Sequence, residues 1–414
     1  MTNQYKLSDA ILKQTKYLNT FWLGFIIYIV NYVFSATGKL NYIVCQAFQS
    51  LGIILIVFAS IYLIKFRFIN KYLQTVFIIY CAWLILIILR GFSFDYVFIK
   101  QMLFDAQYGM LPYFAPLILV FPKNLASYKK LFDVIILLCV FYIIYDLAFI
   151  KDLLNSDRES LISQGSVEHV VLLSIPASFL LLTFNYHSKK RKIFSIIIIT
   201  TTLFFAIYRA RRGLIVISSS QLVFAYFLYL FNSRNKFMLI FSSILILFIG
   251  AYSIKDIFQS KNSIFSFVID RGTEDTRTGV ELYFYADLKT TDWIIGRGIA
   301  GKYFCPGIEE NQKTNYRDVI ETGYLQIILR GGLVNLILTL LIVMPAIFLG
   351  LFYSRNMLSK AAGIWILASL IYSYPATIEA FSLYYLIYWM SIGICYSKVI
   401  RNIPEKTLIR IFSN

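Results

Sequence analysis

The run Tyr208-Arg209-Ala210-Arg211-Arg212-Gly213 packs three arginines, Arg209, Arg211 and Arg212, into four residues. A guanidinium is a planar fork that grips phosphate oxygens two at a time, so the cluster suits a phosphate or pyrophosphate; a lipid headgroup is the competing ligand. A helix opening at Gly213 would add its first amides to the same anion. Arg277 is a second candidate. It precedes a stretch, 278–293, in which Val280, Phe284 and Leu288 recur at helical spacing, and Glu281 four residues on is placed to pair with it. Glu321 is the third. It stands before Thr322-Gly323-Tyr324-Leu325 at the head of a long apolar run. There a partly desolvated carboxylate has a raised pKa and can act as a general base, although an acid at a helix start also gains from the dipole alone. Arg330, deeper in the same run, is expected on the opposite face of that helix from Glu321. An arginine inside a membrane is a functional candidate unless an acid such as Asp146 or Glu168 neutralises it.

The elements that must position these residues follow from composition. Of 414 residues 59% are apolar and only 15% charged, and the mean hydropathy is +0.69. Soluble domains average about 45–50% apolar with about a quarter charged, so this is a membrane protein. Apolar runs of membrane length fall at 20–37, 41–64, 72–89, 108–121, 131–150, 167–184, 193–208, 213–231, 237–254, 323–352, 361–375 and 380–397, about twelve spans. The first is expected to be an uncleaved helix, because further spans follow it and no small-residue cleavage site is evident. The formal charge of +17 lies in short clusters on alternate loops: Lys65, Arg67 and Lys71; Lys123, Lys129 and Lys130; Lys189 to Lys192; Arg234 and Lys236; Arg355 and Lys360; and the tail from Lys398 to Arg410. That alternation is the positive-inside pattern, which makes the basic excess a topology signal and gives no reason to expect nucleic acid. It also puts the polar stretch 255–322 on the external side, where Arg209, Arg211 and Arg212 are out of place. The expected architecture is therefore all-α: one integral membrane domain, 1–414, with a single large external loop, 255–322, carrying short amphipathic helices.

Other chemistries find little support. His169 and His187 are far apart, four of the five cysteines lie in or beside apolar runs, and Cys305 is alone in the external stretch, so neither a metal site nor a disulfide is expected. Gly296, Gly298 and Gly301 imitate a dinucleotide fingerprint, but no βαβ unit surrounds them. Tyr283, Phe284, Tyr285, Trp293 and Tyr303 could pack against sugar faces or anchor the segment at the membrane surface.

An Arg-Gly helix start (Arg212-Gly213), then Arg277 opening an aromatic-rich helix that closes on Gly296-Arg297-Gly298, then a polar residue heading a glycine-containing span: in this order the elements resemble the O-antigen polymerase and O-antigen ligase superfamily of bacterial membrane glycosyltransferases. The resemblance covers roughly 170–350. It implies an undecaprenyl-diphosphate-linked oligosaccharide as substrate, an active site on the periplasmic face of the inner membrane, and no metal, cofactor or nucleotide sugar. It maps the two diphosphate-binding arginines onto Arg212 and Arg277, with Arg209 and Arg211 beside them. The ligases carry a histidine where this chain has Glu321, which favours a repeat-unit polymerase with Glu321 as its base. Tyr285, Asp287, Arg297, Asp318, Tyr324 and Arg330 become candidate sugar or acceptor contacts. Membrane lipids, a flippase and a chain-length regulator are the implied partners. A ligase is the nearest alternative and a lipid-linked oligosaccharide flippase a more distant one.

Overall fold

The computed structural model describes residues 2–66, 68–154, 161–232, 236–237, 277–306 and 314–413. In chain order the helices begin with α1 (Thr2–Ala36), α2 (Tyr42–Leu63), α3 (Lys71–Gly91) and α4 (Tyr96–Phe104). After a 3-10 helix (Leu111–Val120) come α5 (Leu125–Ala148), α6 (Ile150–Leu153), α7 (Leu161–Ser174), α8 (Ala177–Leu182), α9 (Lys189–Tyr208) and α10 (Arg212–Asn232). The later helices are Thr278–Asp287, Thr290–Ile295, Gly323–Phe352, Met357–Tyr372, Leu383–Tyr396, Lys398–Asn402 and Glu405–Ser413. Among the described residues the only strands are Tyr303–Phe304 and Tyr316–Arg317, which pair antiparallel.

Short polar side chains start these helices. Asn41, Asn70, Asn124 and Asn356 each accept a hydrogen bond from an amide of the turn they open, which satisfies one of the donors a helix start leaves orphaned. Among the described residues seven helices are long and apolar enough to cross a membrane: α1 from Lys13, α2, α3, α5, α9, α10 as far as Leu230, and Gly323–Phe352. Their outward faces leave Ile43, Ile54, Ile61, Ile85 and Leu147 exposed, the surface that lipid covers. The protein is a polytopic helical membrane protein.

Of the remaining expected spans, 237–254 lies almost wholly outside the described residues and the others form shorter apolar helices. Between 108 and 121, Pro112 and Pro116 each remove an amide donor, and the chain forms ten residues of 3-10 helix that rise about 20 Å. Pro176 divides the 167–184 run into α7 and α8. The last two runs form helices of 16 and 14 residues, and the latter rises about 21 Å against about 30 Å of hydrocarbon. Two non-helical segments, 105–110 and 373–382, adjoin these short helices and meet where Phe381 N donates to Ala106 O at 2.6 Å. Asp105 Oδ1 accepts from the amides of Gln107 and Tyr108 at 2.8 and 3.0 Å. Irregular backbone among membrane helices persists only where it is satisfied inside the protein or lines a wet cavity.

The 323–352 run is also broken. Gly332 has φ 69°, and the break separates a short first piece, 323–331, from a longer second one. The carbonyls that the break orphans are taken up from elsewhere. Arg297 N donates to Leu329 O at 2.7 Å, Gly298 N to Arg330 O at 2.9 Å and Trp83 Nε1 to Gly331 O at 2.9 Å. Arg90 adds two bonds, to the carbonyls of Ile295 and Gly296, while Ile299 N caps Ile87 O at the end of α3. The glycines that imitate a nucleotide fingerprint therefore form a backbone staple. A Cβ on Gly296 would sit 2.5 Å from the Arg330 carbonyl carbon, and one on Gly332 only 2.1 Å from Ile294 O.

Outside the membrane helices, residues 277–306 and 314–322 fold over the 323–331 piece as a cap. Val280, Phe284 and Leu288 are buried at the expected helical spacing, but they face Tyr303, Cys305, Ile320, Ile328 and Leu329 of the protein itself. We expect Gly332→Ala to release this cap, because it places a side chain in the left-handed region and drives it into Ile294. Cys305 is 0% exposed, so its modification by a thiol reagent reports the release. Slow wild-type-like labelling of Gly332→Ala would refute the staple.

Candidate functional site

A turn with unusual geometry delivers the arginine cluster. Ala210, at φ 48°, is the one non-glycine with positive φ among the described residues, and Arg211 N reaches back to Ala206 O at 2.8 Å. This left-handed cap ends α9 and costs a side chain about 1 kcal/mol. It reverses the chain so that Arg211 and Arg212 stand at the start of α10 beside α7. Arg211 Nη1 is 2.8 Å from Glu168 Oε1. Arg209 turns the other way. It is fully buried, with Nε and Nη2 donating to the carbonyls of Asp152 and Leu153, so it anchors the α6 loop and is corrected from an anion ligand to a structural residue.

Arg211 and Arg212 face a cavity of about 490 Å³. The cap contributes Arg277, Arg317 and Glu321; α7 contributes Glu168, Val171, Leu172 and Ile175; and α10 contributes Leu214 and Ile217. Gln107, Tyr108, Tyr372 and residues from 375 to 384 complete the lining, so the two irregular segments form its floor. Four guanidinium groups against two carboxylates leave an excess of two positive charges at the polar end, and the aliphatic side chains of α7 and α10 make an apolar wall. A cavity of this size and composition accommodates a ligand with an anionic head and an apolar tail.

Arg277 does not pair with Glu281 as expected. It precedes the 278–287 helix, and its Nε lies 3.1 Å from Glu321 Oε2, while Thr322 Oγ1 takes Glu281 as its acceptor. The expectation of a partly desolvated Glu321 is also not met, since its side chain is 63% exposed.

The other candidates stand elsewhere. All five N–H donors of Arg297 are committed inside the cap, to Asp287 Oδ2 and the Asp287 carbonyl, twice to Asp292 Oδ2 and to the Lys302 carbonyl. Burial alone would raise the Asp287 carboxyl, but Arg297 and the Phe304 amide hold it below the usual carboxylate range. That contribution to cap stability is present above the ordinary carboxylate pKa and is lost as pH falls below it. Arg297 and Asp287 thus hold the cap together and are not available to a sugar. Tyr285 stacks on Trp293 with ring centroids 6.0 Å apart, outside the cavity. Tyr324 donates to the Leu370 carbonyl, and Asp318, whose carbonyl accepts from Gln326, does not line the cavity. Arg330 pairs with neither Asp146 nor Glu168. It lies under the floor, donating to Tyr108 O at 3.3 Å and Tyr113 Oη at 3.4 Å, and shares a small pocket with Glu379.

Sequence reading missed Glu168 as a wall residue, and it missed Arg317, Tyr108 and Tyr372. Arg317 carried no signal of its own, being one of nine lysines and arginines in the 255–322 stretch. Among the described residues no three His, Cys, Asp or Glu side chains converge as metal ligands. Compared with protein families, with curated proteins and with solved structures, the chain matches none.

Proposed function

We propose that the protein is a polymerase of glycan repeat units carried on undecaprenyl diphosphate, in a bacterial inner membrane, with its cavity opening to the periplasm. The observation that carries this reading is the convergence of Arg211, Arg212, Arg277, Arg317 and Glu321 on one cavity with an aliphatic wall. Diphosphate is a good leaving group once its charge is met, so the site need only hold it, orient the two sugars and take one proton. The acceptor hydroxyl oxygen attacks the anomeric carbon of the donor sugar. The bond from that carbon to the diphosphate oxygen breaks with its electron pair staying on the phosphate, and the hydroxyl proton passes to Glu321. No cofactor enters this scheme. The full count of about twelve spans and the external placement of 255–322 belong to the same proposal, supported by the clustered lysines and arginines on the opposite loops.

Deletion of the gene, followed by gel analysis of surface polysaccharide, tests the reading. A polymerase predicts that the ladder collapses to a single repeat unit on its acceptor. Loss of every capped species would identify a ligase, and an unchanged ladder would overturn the proposal. Orientation is tested separately with Tyr316→Cys, because Tyr316 is 53% exposed on the cap and Cys305 beside it is buried. An impermeant thiol reagent should label this variant in cells with only the outer membrane opened. Labelling that requires rupture of the inner membrane would overturn the orientation.

A further inference from the structure

Tyr372 is the last residue of the Met357–Tyr372 helix, and it lines the cavity between the arginine turn and the floor. The neighbouring tyrosines spend their hydroxyls on the protein. Tyr384 Oη is 2.8 Å from Ser369 Oγ, and Tyr324 Oη donates to the Leu370 carbonyl. Among the described residues the Tyr372 hydroxyl has no hydrogen-bond partner, although Glu168 and Arg277 are its electrostatic neighbours across the cavity. A phenol placed among charged groups inside a protein ordinarily finds a partner, so one left over at a cavity wall is aimed at a ligand.

A second observation concerns the space in front of it. Gly213 follows Arg212 in the first turn of α10, and a Cβ built there would meet a single atom within 4 Å, the Tyr372 hydroxyl at 3.7 Å. The backbone of Gly213 has an ordinary negative φ, so conformation does not demand glycine here. What glycine provides is an open gap between the start of α10 and the Tyr372 hydroxyl, continuous with the cavity that Arg212 lines. An anion in that gap would meet Arg212 on one side and a neutral hydroxyl donor on the other.

Resting on the proposed glycosyl transfer, we propose that Tyr372 is a further catalytic residue, whose hydroxyl donates a hydrogen bond to the diphosphate oxygen that leaves the sugar, within the gap that Gly213 keeps open. Tyr372 retains its proton throughout; the proton lost by the acceptor hydroxyl still goes to Glu321. A neutral donor suits the leaving oxygen because negative charge grows there as the sugar–oxygen bond breaks, and the hydrogen bond strengthens in step. The arginines, by contrast, hold a diphosphate that is already charged in the ground state.

The test uses the full-length protein in lipid nanodiscs with a purified lipid-linked repeat unit. Tyr372→Phe keeps the ring and its packing, and should lower kcat by about 10- to 100-fold while leaving donor KM within about two-fold, because the lost bond matters most in the transition state. Gly213→Ala keeps the hydroxyl but puts a methyl group into the gap, and should raise donor KM by about ten-fold or more with the fold intact. If Tyr372→Phe turns over within two-fold of wild type while Arg212→Lys is inactive, the cavity keeps its proposed role and the Tyr372 proposal falls. If both variants are fully active, neither Arg212 nor Tyr372 meets the diphosphate and the Tyr372 proposal falls; if the wild-type protein turns over no lipid-linked repeat unit, the glycosyl-transfer reading falls and takes this one with it.

Discussion

Replacing Arg212 or Arg277 by lysine is expected to abolish polymer formation, with a loss of at least about 10²-fold in turnover for each. Lysine keeps the charge, so a site that needed only electrostatic attraction would survive the exchange. It cannot reproduce the planar fork that holds two phosphate oxygens at once. The two arginines reach the cavity from opposite parts of the protein, Arg212 from α10 and Arg277 from the cap, and a diphosphate bridging them would tie the cap to the membrane helices. The effect should therefore appear in donor binding as well as turnover, as a raised KM for the lipid-linked substrate. Expression and membrane insertion should be unchanged, because neither side chain is packed in a hydrophobic cluster. Full-length polymer from both lysine variants would show that the arginines act only on lipid headgroups or on their carboxylate partners.

What the sequence revealed depended on how local the signal was. The 278–287 helix was legible because Val280, Phe284 and Leu288 repeat within one element. Arg211 and Arg212 stood out in the sequence because they interrupt the alternation of basic and non-basic loops. The pairing of Arg277 with Glu321 spans 44 positions, and no periodicity encodes it; the nearer Glu281 was the reasonable guess and was wrong. Arg209 shared its cluster's signal but points away, since a left-handed residue at Ala210 reverses the chain between it and its neighbours. The break at Gly332 was hidden for a different reason. Hydropathy measures apolar content and is nearly blind to a missing hydrogen bond, so one continuous run concealed two helical pieces. The partner that mends the break, Gly296-Arg297-Gly298, lies over thirty residues upstream and looked like a weak nucleotide motif. The runs 108–121 and 380–397 concealed the shorter helices Leu111–Val120 and Leu383–Tyr396 for the same reason. The irregular segments 105–110 and 373–382 that adjoin them proved to be the cavity floor.

Glu321→Gln should slow glycosyl transfer by about 10²–10⁴-fold, the usual cost of losing a general base. The substitution is a narrow one. A glutamine carbonyl can still accept from Arg277 Nε, now 3.1 Å from the carboxylate, so the arginine should keep its position. The Glu321 side chain is 63% exposed, so no buried charge is stranded and folding should not change measurably. Removing a negative charge beside the diphosphate-binding arginines should leave donor KM equal or slightly lower. That direction matters, because a residue that merely oriented Arg277 would raise KM when altered. A large fall in kcat with unchanged or tighter donor binding therefore separates a proton acceptor from a positioning partner. If Glu321→Gln polymerises within a few-fold of wild type, Glu321 serves only to hold Arg277. Glu168 would then be the next carboxylate to test, since it lines the same cavity against Arg211, whereas Asp287 is committed to Arg297 and Asp318 lies outside the lining.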